Sequence, residues 1–253
     1  NIVQVPLTLQ INDEIFSDTL DLDIVNFRNK LRENKKNRKT AAPSPQLYVD
    51  AYGGDEDVFV VTLSSHLSGS YNSAVTAQDL YFDDYGKKNI FVVDSKSASV
   101  GETLIVNKLL EKGLSFDEIK EEICKFRDNL NTYFILENYD SLVNTGRLNP
   151  YVAKLAALLG IVPICGADDG HAVLTAKAKG MKKAYLKLID DITKKCNDTE
   201  NRVLYITHID ALEKANELKE IMMSKLNFKE CHITEGSGLC SSYADIGGLI
   251  ISF

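Results

Sequence analysis

The sequence predicts an α/β chain of two lobes, an N-terminal wound parallel sheet followed by a C-terminal mixed α/β lobe. Three observations predict it. Short β-branched runs, "VFVVTL" from Val58, "IFVV" from Ile90 and "TYFIL" from Thr132, alternate with helical periodicities, as strands joined by crossover helices do. The texture changes at "NTGRLNP" (144–150), after which a hairpin-like pair of runs replaces the alternation. The length, 253 residues with 44% apolar and 26% charged side chains, is enough for two units that share a cleft. The lobes are expected over residues 1–145 and 146–253.

Taken in order, Val3 to Ile11 alternates and reads as a strand, and Asp23 caps a helix carrying Ile24, Phe27 and Leu31 on one face. Lys35, Lys36, Arg38 and Lys39 form a basic run expected to be a solvated loop. "TAAPSP" (40–45) follows, its prolines enforcing extended or turn geometry before a helix over 46–52. After the strand at 58–63 the spacing predicts a helix from about Ser68 to Phe82. Beyond the strand at 90–93 it predicts helices near 101–111 and 116–130, the second with Phe116, Ile119, Ile123, Phe126 and Leu130 at helical spacing. In the second lobe "IVPI" and "HAVLTAKA" flank the turn sequence "ADDG". An amphipathic helix (Met181, Ala184, Tyr185, Leu188, Ile192), strand "VLYIT", a helix over 210–226 and strands near "ECHIT" and "GLIISF" complete it.

A formal net charge of −7 argues against nucleic acid, since phosphate contacts need a basic stripe. The cysteines, Cys124, Cys165, Cys196, Cys231 and Cys240, are odd in number and lack a C-x-x-C pair, which suits reduced thiols in a cytoplasm. No apolar stretch reaches the roughly 18 residues of a membrane span, which leaves room only for transient contact with a membrane surface. The opening "NIVQVPLTLQI" begins inside a strand-like run, and a segment is expected to be missing ahead of it.

The stretch with chemistry is "LSSHLSGSYNSA" (63–74), placed directly after a buried strand. A helix entry leaves about four backbone N–H groups unpaired and carries roughly half a positive charge. With Ser64, Ser65, Ser68 and Ser70 alongside, it can receive an anionic head group; equally, one serine can cap and the others turn the chain. There is no Walker lysine and no G-x-S-x-G. "TAAPSP" is a second hydroxyl-bearing loop of the same lobe, and in wound sheets ligands bind beyond the carboxyl ends of the strands. His66, His171, His208 and His232 show no metal-ligand spacing, and Cys231 and His232, adjacent on a strand, point to opposite faces. The Gly236–Gly238 G-x-G lacks a third glycine and is not expected to lead into a helix, so it is a weak nucleotide fingerprint. Arg147 stands beside Gly146 at the lobe junction, where it could cap a helix.

Several of these segments together resemble the DegV family of bacterial fatty-acid-binding proteins. "TAAPSP" is similar to the family's T-S-x-P-S loop, and "LSSHLSGSYNSA" to its S-S-x-L-S-G-T-Y-x-S-A segment with Ser70 in place of Thr. "VVDSKSASVG" is similar to D-S-[KR]-x-x-S-x-G, and "NTGRL" to G-G-R-I with Thr145 for the first glycine. The order is kept along the whole chain. Two features depart: the family's first strand with its Asp-Ser motif is absent, and Tyr243 and Ala244 of "SSYADIGG" stand where the family often has His-Thr-Gly-x-Gly.

The resemblance implies a DegV-like fold with one long-chain acyl group held between the lobes. It implies a carboxylate bound by Thr40 and Ser68 with Gly69 beside them, and Arg147 facing the head group or a partner. It further implies a carrier without catalysis of its own, needing no cofactor or metal, that presents its fatty acid to a separate fatty-acid kinase. Two other classes stay open. An enzyme acting on a small anionic metabolite at the serine-rich turn would need a base, and only His66 is near in sequence. A lipid-responsive regulatory protein is the other, with no recognition helix for DNA.

Overall fold

The computed structural model describes residues 1–34, 37–111 and 113–253. Leu9 and Ile11 are both buried while Gln10 between them is not, the alternation of a half-buried strand. That strand, β1 (Thr8–Ile11), pairs antiparallel with β2 (Glu14–Ser17) and with β3 (Arg38–Ala41). The strand expected from Val3 begins only at Thr8, past Pro6, which has no N–H for a ladder. Helix α1 (Ile24–Glu33) starts as its sequence requires, with the Asp23 carboxylate accepting the Asn26 N–H at 3.0 Å. Its Phe27 and Leu31 pack on Leu9 and Ile11. Arg38 and Lys39, expected in a solvated loop, lie in β3, because their backbone completes the ladder of β1; Lys35 and Lys36 lie outside the described residues.

The parallel part of this first unit is the pair β4 (Val58–Thr62) and β5 (Ile90–Asp94), in register from Val58 opposite Ile90 to Thr62 opposite Asp94. Helices α2 (Pro45–Ala51) and α3 (Ser70–Tyr85) pack with these strands in one core of Tyr48, Val49, Tyr52, Ala74, Ala77, Ile90 and Val92. Pro45 occupies the first turn of α2, where a missing N–H costs nothing. Helices α4 (Val100–Leu109) and α5 (Phe116–Asn129) follow.

The strand expected to extend this sheet does not. β6 (Thr132–Ile135) belongs to a six-stranded sheet in the second unit, where it lies antiparallel to the last strand of the chain. The sheet runs β10-β9-β11-β6-β7-β8, with β7 (Ile161–Asp168), β8 (His171–Lys179), β9 (Val203–His208), β10 (Glu230–Glu235) and β11 (Leu249–Ser252). Only β9 and β10 are parallel. Both faces are buried. Leu204, Ile206, Leu249 and Ile251 pack with α8 (Met181–Lys195) and α9 (Leu212–Leu226), while Tyr205 and Ile250 turn to the opposite face. There they meet residues of α6 (Asp140–Asn144) and α7 (Pro150–Ala156). The "ADDG" turn behaves as read: Asp169 and Gly170 have φ of 45° and 82°, both left-handed, which joins β7 to β8 by a two-residue hairpin.

The two compact units therefore divide differently from residues 1–145 and 146–253. Unit 1 is Asn1–Ala98, Glu102–Asn129 and Ser237–Leu239; unit 2 is Ser99–Gly101, Leu130–Gly236 and Cys240–Phe253. The changeover comes ahead of β6 because that strand finds its partners in β7 and β11. Among the described residues no helix is long and apolar enough to cross a membrane.

A short helix, α10 (Gly238–Ala244), follows Gly236 and Ser237, contrary to the expectation that the G-x-G leads into none. Its first donors are already taken: the Asp18 carboxylate accepts the Gly238 N–H at 2.9 Å and the Leu239 N–H at 3.0 Å. A side chain at Gly238 would lie 2.5 Å from Leu9 Cδ1 and 2.7 Å from Leu22 Cδ2, so glycine is required for close packing. A carboxylate from the chain itself occupies the place a nucleotide phosphate would need. Asp18 is 5% exposed, and burial raises its pKa above the ordinary carboxylate range against the opposing pull of the Leu239, Gly238 and Ser237 hydrogen bonds.

A carboxyl with a raised folded-state pKa adds stability below its unfolded value, about 4, and loses it as pH rises through the folded value. Asp18→Asn removes that titration. The wild-type protein is expected to gain stability relative to Asp18→Asn as pH falls from about 7 to about 4.5, read from urea unfolding midpoints. A difference that shrinks on acidification would mean that the N–H donors outweigh burial.

Candidate functional site

β4 and β5 end side by side at Thr62 and Asp94, and the loops that leave them are fastened to each other. Ser65 donates its hydroxyl to Asp94 Oδ2 at 2.5 Å and its backbone N–H to Asp94 Oδ1 at 3.1 Å. The Lys96 N–H reaches the same Oδ1 at 3.1 Å, with Lys96 at φ 52°. Ser64 N–H donates to the Ser97 carbonyl at 2.8 Å, and the Ser64 hydroxyl accepts the His66 N–H at 3.2 Å. Ser95 Oγ donates to the Ser97 carbonyl at 3.2 Å and accepts the Ser97 N–H at 3.1 Å. Ser64, Ser95 and Ser97 are buried. In a buried loop these bonds carry the accounting that a ladder carries in a strand.

The five serines of "LSSHLSGSYNSA" thus divide by role. Ser64 and Ser65 hold the "DSKS" loop. Ser73, one turn into α3, donates to the Pro43 carbonyl at 2.5 Å and holds the "TAAPSP" segment. Ser68 and Ser70 remain, paired with each other at 2.9 Å between their hydroxyl oxygens. Ser65 was expected as a turn or cap residue; it caps no helix but binds a carboxylate from the neighbouring loop.

Ser68 was expected in the first turn of its helix and lies two residues ahead of it. A preceding turn, closed by Leu67 N–H and Ser68 N–H on the Ser64 carbonyl at 2.9 and 3.0 Å, carries the chain up to Gly69, the N-cap residue. The Ser68 hydroxyl accepts the Ser70 N–H at 3.2 Å, so it serves the helix entry from outside. Gly69 has φ −72°, a conformation open to any residue, and a Cβ added there would sit at an ordinary 3.6 Å from Ala42 Cβ, so nothing local requires glycine. The Ser73–Pro43 bond fastens α3 to the "TAAPSP" segment. Thr40, expected on a loop, is partly buried on β3 opposite Leu9.

Arg147 is not part of this group and belongs to the second unit. Its backbone N–H donates to the Leu142 carbonyl at 2.8 Å, closing α6 past Gly146 at φ 74°, so the capping role is real at the backbone. Its guanidinium lies over the Tyr243 ring, 5.2 Å from the centroid. Tyr243 is one of the two residues, with Ala244, that the resemblance sets in place of a histidine, and no sequence spacing links it to Arg147.

The histidines stay apart. His208 is buried, and its Nδ1 accepts the Ala211 N–H at 3.2 Å at the start of α9. His232 pairs with Glu230 at 3.2 Å and stacks near Tyr205. His66 is exposed. Among the described residues no three His, Cys, Asp or Glu side chains gather as a metal site would require. None of the five cysteines is in a disulfide, and burial pushes the Cys165 thiol up to about 12, where it is unreactive.

Sequence reasoning missed how the two loops are fastened. Asp94 stood in a quoted motif, but its bonding to Ser65, 29 residues away, has no local signature.

A family model described as an uncharacterised protein of the DegV family matches residues 1–253. A DegV domain-containing protein of Streptococcus gordonii is 35% identical over all of this chain and 91% of its own length. Among solved structures, a DegV family protein of Ruminococcus gnavus with vaccenic acid superposes with a TM-score of 0.93 at 37% identity, covering 98% of this chain and 91% of that one. The Streptococcus pneumoniae Fatty Acid Kinase (Fak) B3 protein loaded with linoleic acid gives a TM-score of 0.89 at 33% identity over 98% of this chain and 89% of that one. Matched end to end in sequence and fold, with the serine-rich turn and the "DSKS" loop fastened together, this chain belongs to the DegV family.

Proposed function

We propose that this protein binds a long-chain fatty acid, with the carboxylate received by the hydroxyls of Thr40 and Ser68 and by the backbone at Gly69. The supporting observation is the fastening of the two hydroxyl-bearing segments through the Ser73 hydroxyl on the Pro43 carbonyl. Fatty acids bound to solved relatives at 33 and 37% identity support the ligand class. Neutral donors suit the task. They satisfy a carboxylate's lone pairs without a counter-charge, and the affinity comes from the chain: roughly 14 methylenes at about 0.8 kcal/mol each contribute on the order of 11 kcal/mol before the costs of binding. Hydroxyls are not general bases at neutral pH, which favours a carrier over an enzyme. A partner kinase would phosphorylate the presented carboxyl, and Arg147 would face the head group or that partner.

Native mass spectrometry of the purified protein is expected to show one added mass per chain, of long-chain fatty acid size, lost on denaturation; a uniform apo mass from a lipid-containing host would overturn the reading.

Each hydroxyl bond to a charged group contributes about 1.5–3 kcal/mol. Ser68→Ala and Thr40→Ala are each expected to weaken fatty-acid binding roughly 10- to 100-fold, with the double variant less than additive because both act on one carboxylate. Ser65→Ala is the contrast. It loses a bond to Asp94 and is expected to cost about 1.5 kcal/mol of stability in urea unfolding while leaving affinity near wild type. Loss of binding in Ser65→Ala but not in Ser68→Ala would move the head-group site.

Arg147→Ala is expected to keep the fold and to lower phosphorylation of the bound fatty acid by a partner kinase about tenfold, with a smaller effect on binding. Unchanged phosphorylation would leave Arg147 only its capping and ring-stacking roles.

A further inference from the structure

Arg147 and Tyr243 both lie in unit 2, and both are half-buried. The backbone under Arg147 is fixed: its N–H donates to the Leu142 carbonyl at 2.8 Å, and the Leu148 N–H reaches the same carbonyl at 3.2 Å. The next residue, Leu148, packs in one core cluster with Ala244, the neighbour of Tyr243 on α10. Burial of these two neighbours holds the roots of both side chains, and the guanidinium carbon then lies 5.2 Å from the Tyr243 ring centroid. That is within the range of attraction between a cation and an aromatic face. An arginine side chain gives up rotamer freedom when it engages an anion. A carboxylate partner would restrict it in advance but neutralise its charge. A ring restricts it and leaves the charge in place.

We infer that Tyr243 is a positioning residue whose ring holds the Arg147 guanidinium ready for the anion formed when the bound fatty acid is phosphorylated. The inference rests on the reading above, in which Arg147 faces the head group or the partner kinase. In that step a carboxylate oxygen bonds to the γ-phosphorus of ATP as the bond to ADP breaks. The products are the acyl phosphate and ADP, and no proton is transferred. Negative charge spreads over the phosphoryl oxygens, which the planar fork of a guanidinium matches when it is already in place. Tyr243 acts through Arg147 and not on the reacting atoms.

The contact has a signature that needs no kinase. Protons above an aromatic face resonate upfield, so the Arg147 Nε–H signal, assigned by its loss in Arg147→Ala, is expected upfield of the ordinary arginine position. Tyr243→Phe keeps the ring and should keep that shift; Tyr243→Leu keeps bulk without a ring and should abolish it. Activity is read as oleoyl phosphate formed from oleate and ATP with the host's fatty-acid kinase. Tyr243→Leu is expected to lower it about three- to tenfold, Tyr243→Phe by less than about twofold, and Tyr243→Leu is expected to add nothing in an Arg147→Ala background. Equal losses in the Leu and Phe variants, or a further loss in the Arg147→Ala background, would mean that Tyr243 acts by another route and would overturn the inference. Full activity in Tyr243→Leu beside an impaired Arg147→Ala would do the same. An ordinary Nε–H position in the wild-type protein would overturn it even if Tyr243→Leu failed to fold. Unchanged phosphorylation in Arg147→Ala would instead overturn the reading of Arg147 and this inference with it.

Discussion

The Asp94 carboxylate is the interaction on which the site depends. It stands at the end of β5, accepts the Ser65 hydroxyl and N–H from one loop and the Lys96 N–H from its own, and so fixes the serine-rich turn to the strand ends. Without it, residues 63–69 would be a polar excursion between a strand and a helix. With it, Ser68 and Gly69 hold a set position relative to the entry of α3. Charge-assisted bonds of this kind are stronger than bonds between neutral groups, and here the charge lies on the scaffold, leaving neutral hydroxyls to meet a ligand.

The second unit solves a different problem. Its sheet is buried on both faces, so its central strands read as nearly continuous apolar runs, "LIIS" in β11 and "TYFI" in β6. Such runs do not announce their partners. β11, the last strand in sequence, lies between β9 and β6, and β6 joins this sheet although helices and strands of the first unit precede it directly. Glycines mark the tight places. A Cβ at Gly236 would run into Ile209 Cδ1, and one at Gly238 would meet Leu9. In this G-x-G the glycines serve packing, and the acceptor beside them is Asp18.

Hydroxyls and backbone donors limit what the site can do. They can order an anion, but none of Thr40, Ser68 or Ser70 is a base strong enough to move a proton at neutral pH. On the fatty-acid reading proposed above, selectivity comes from the fit of the acyl chain.

Much was legible in the sequence because local physics decides it. The Asp23 cap, the Asp169–Gly170 hairpin, the amphipathic face of α8 and the strands "VFVVT" and "IFVV" follow from capping, turn and period rules that need only neighbouring residues. The motif resemblance also marked Thr40, Ser68, Gly69 and Arg147. Tertiary structure decided the rest, since those contacts join residues far apart in the chain: β6 to β11, Asp18 to Gly238, Ser65 to Asp94, Ser73 to Pro43. It put Ser68 before its helix and Thr40 on a strand. A serine's role depends on which group its one proton faces. In "LSSHLSGSYNSA" five serines look alike along the chain, and only the partners brought to them by packing tell the fastenings from the pair left beside Gly69.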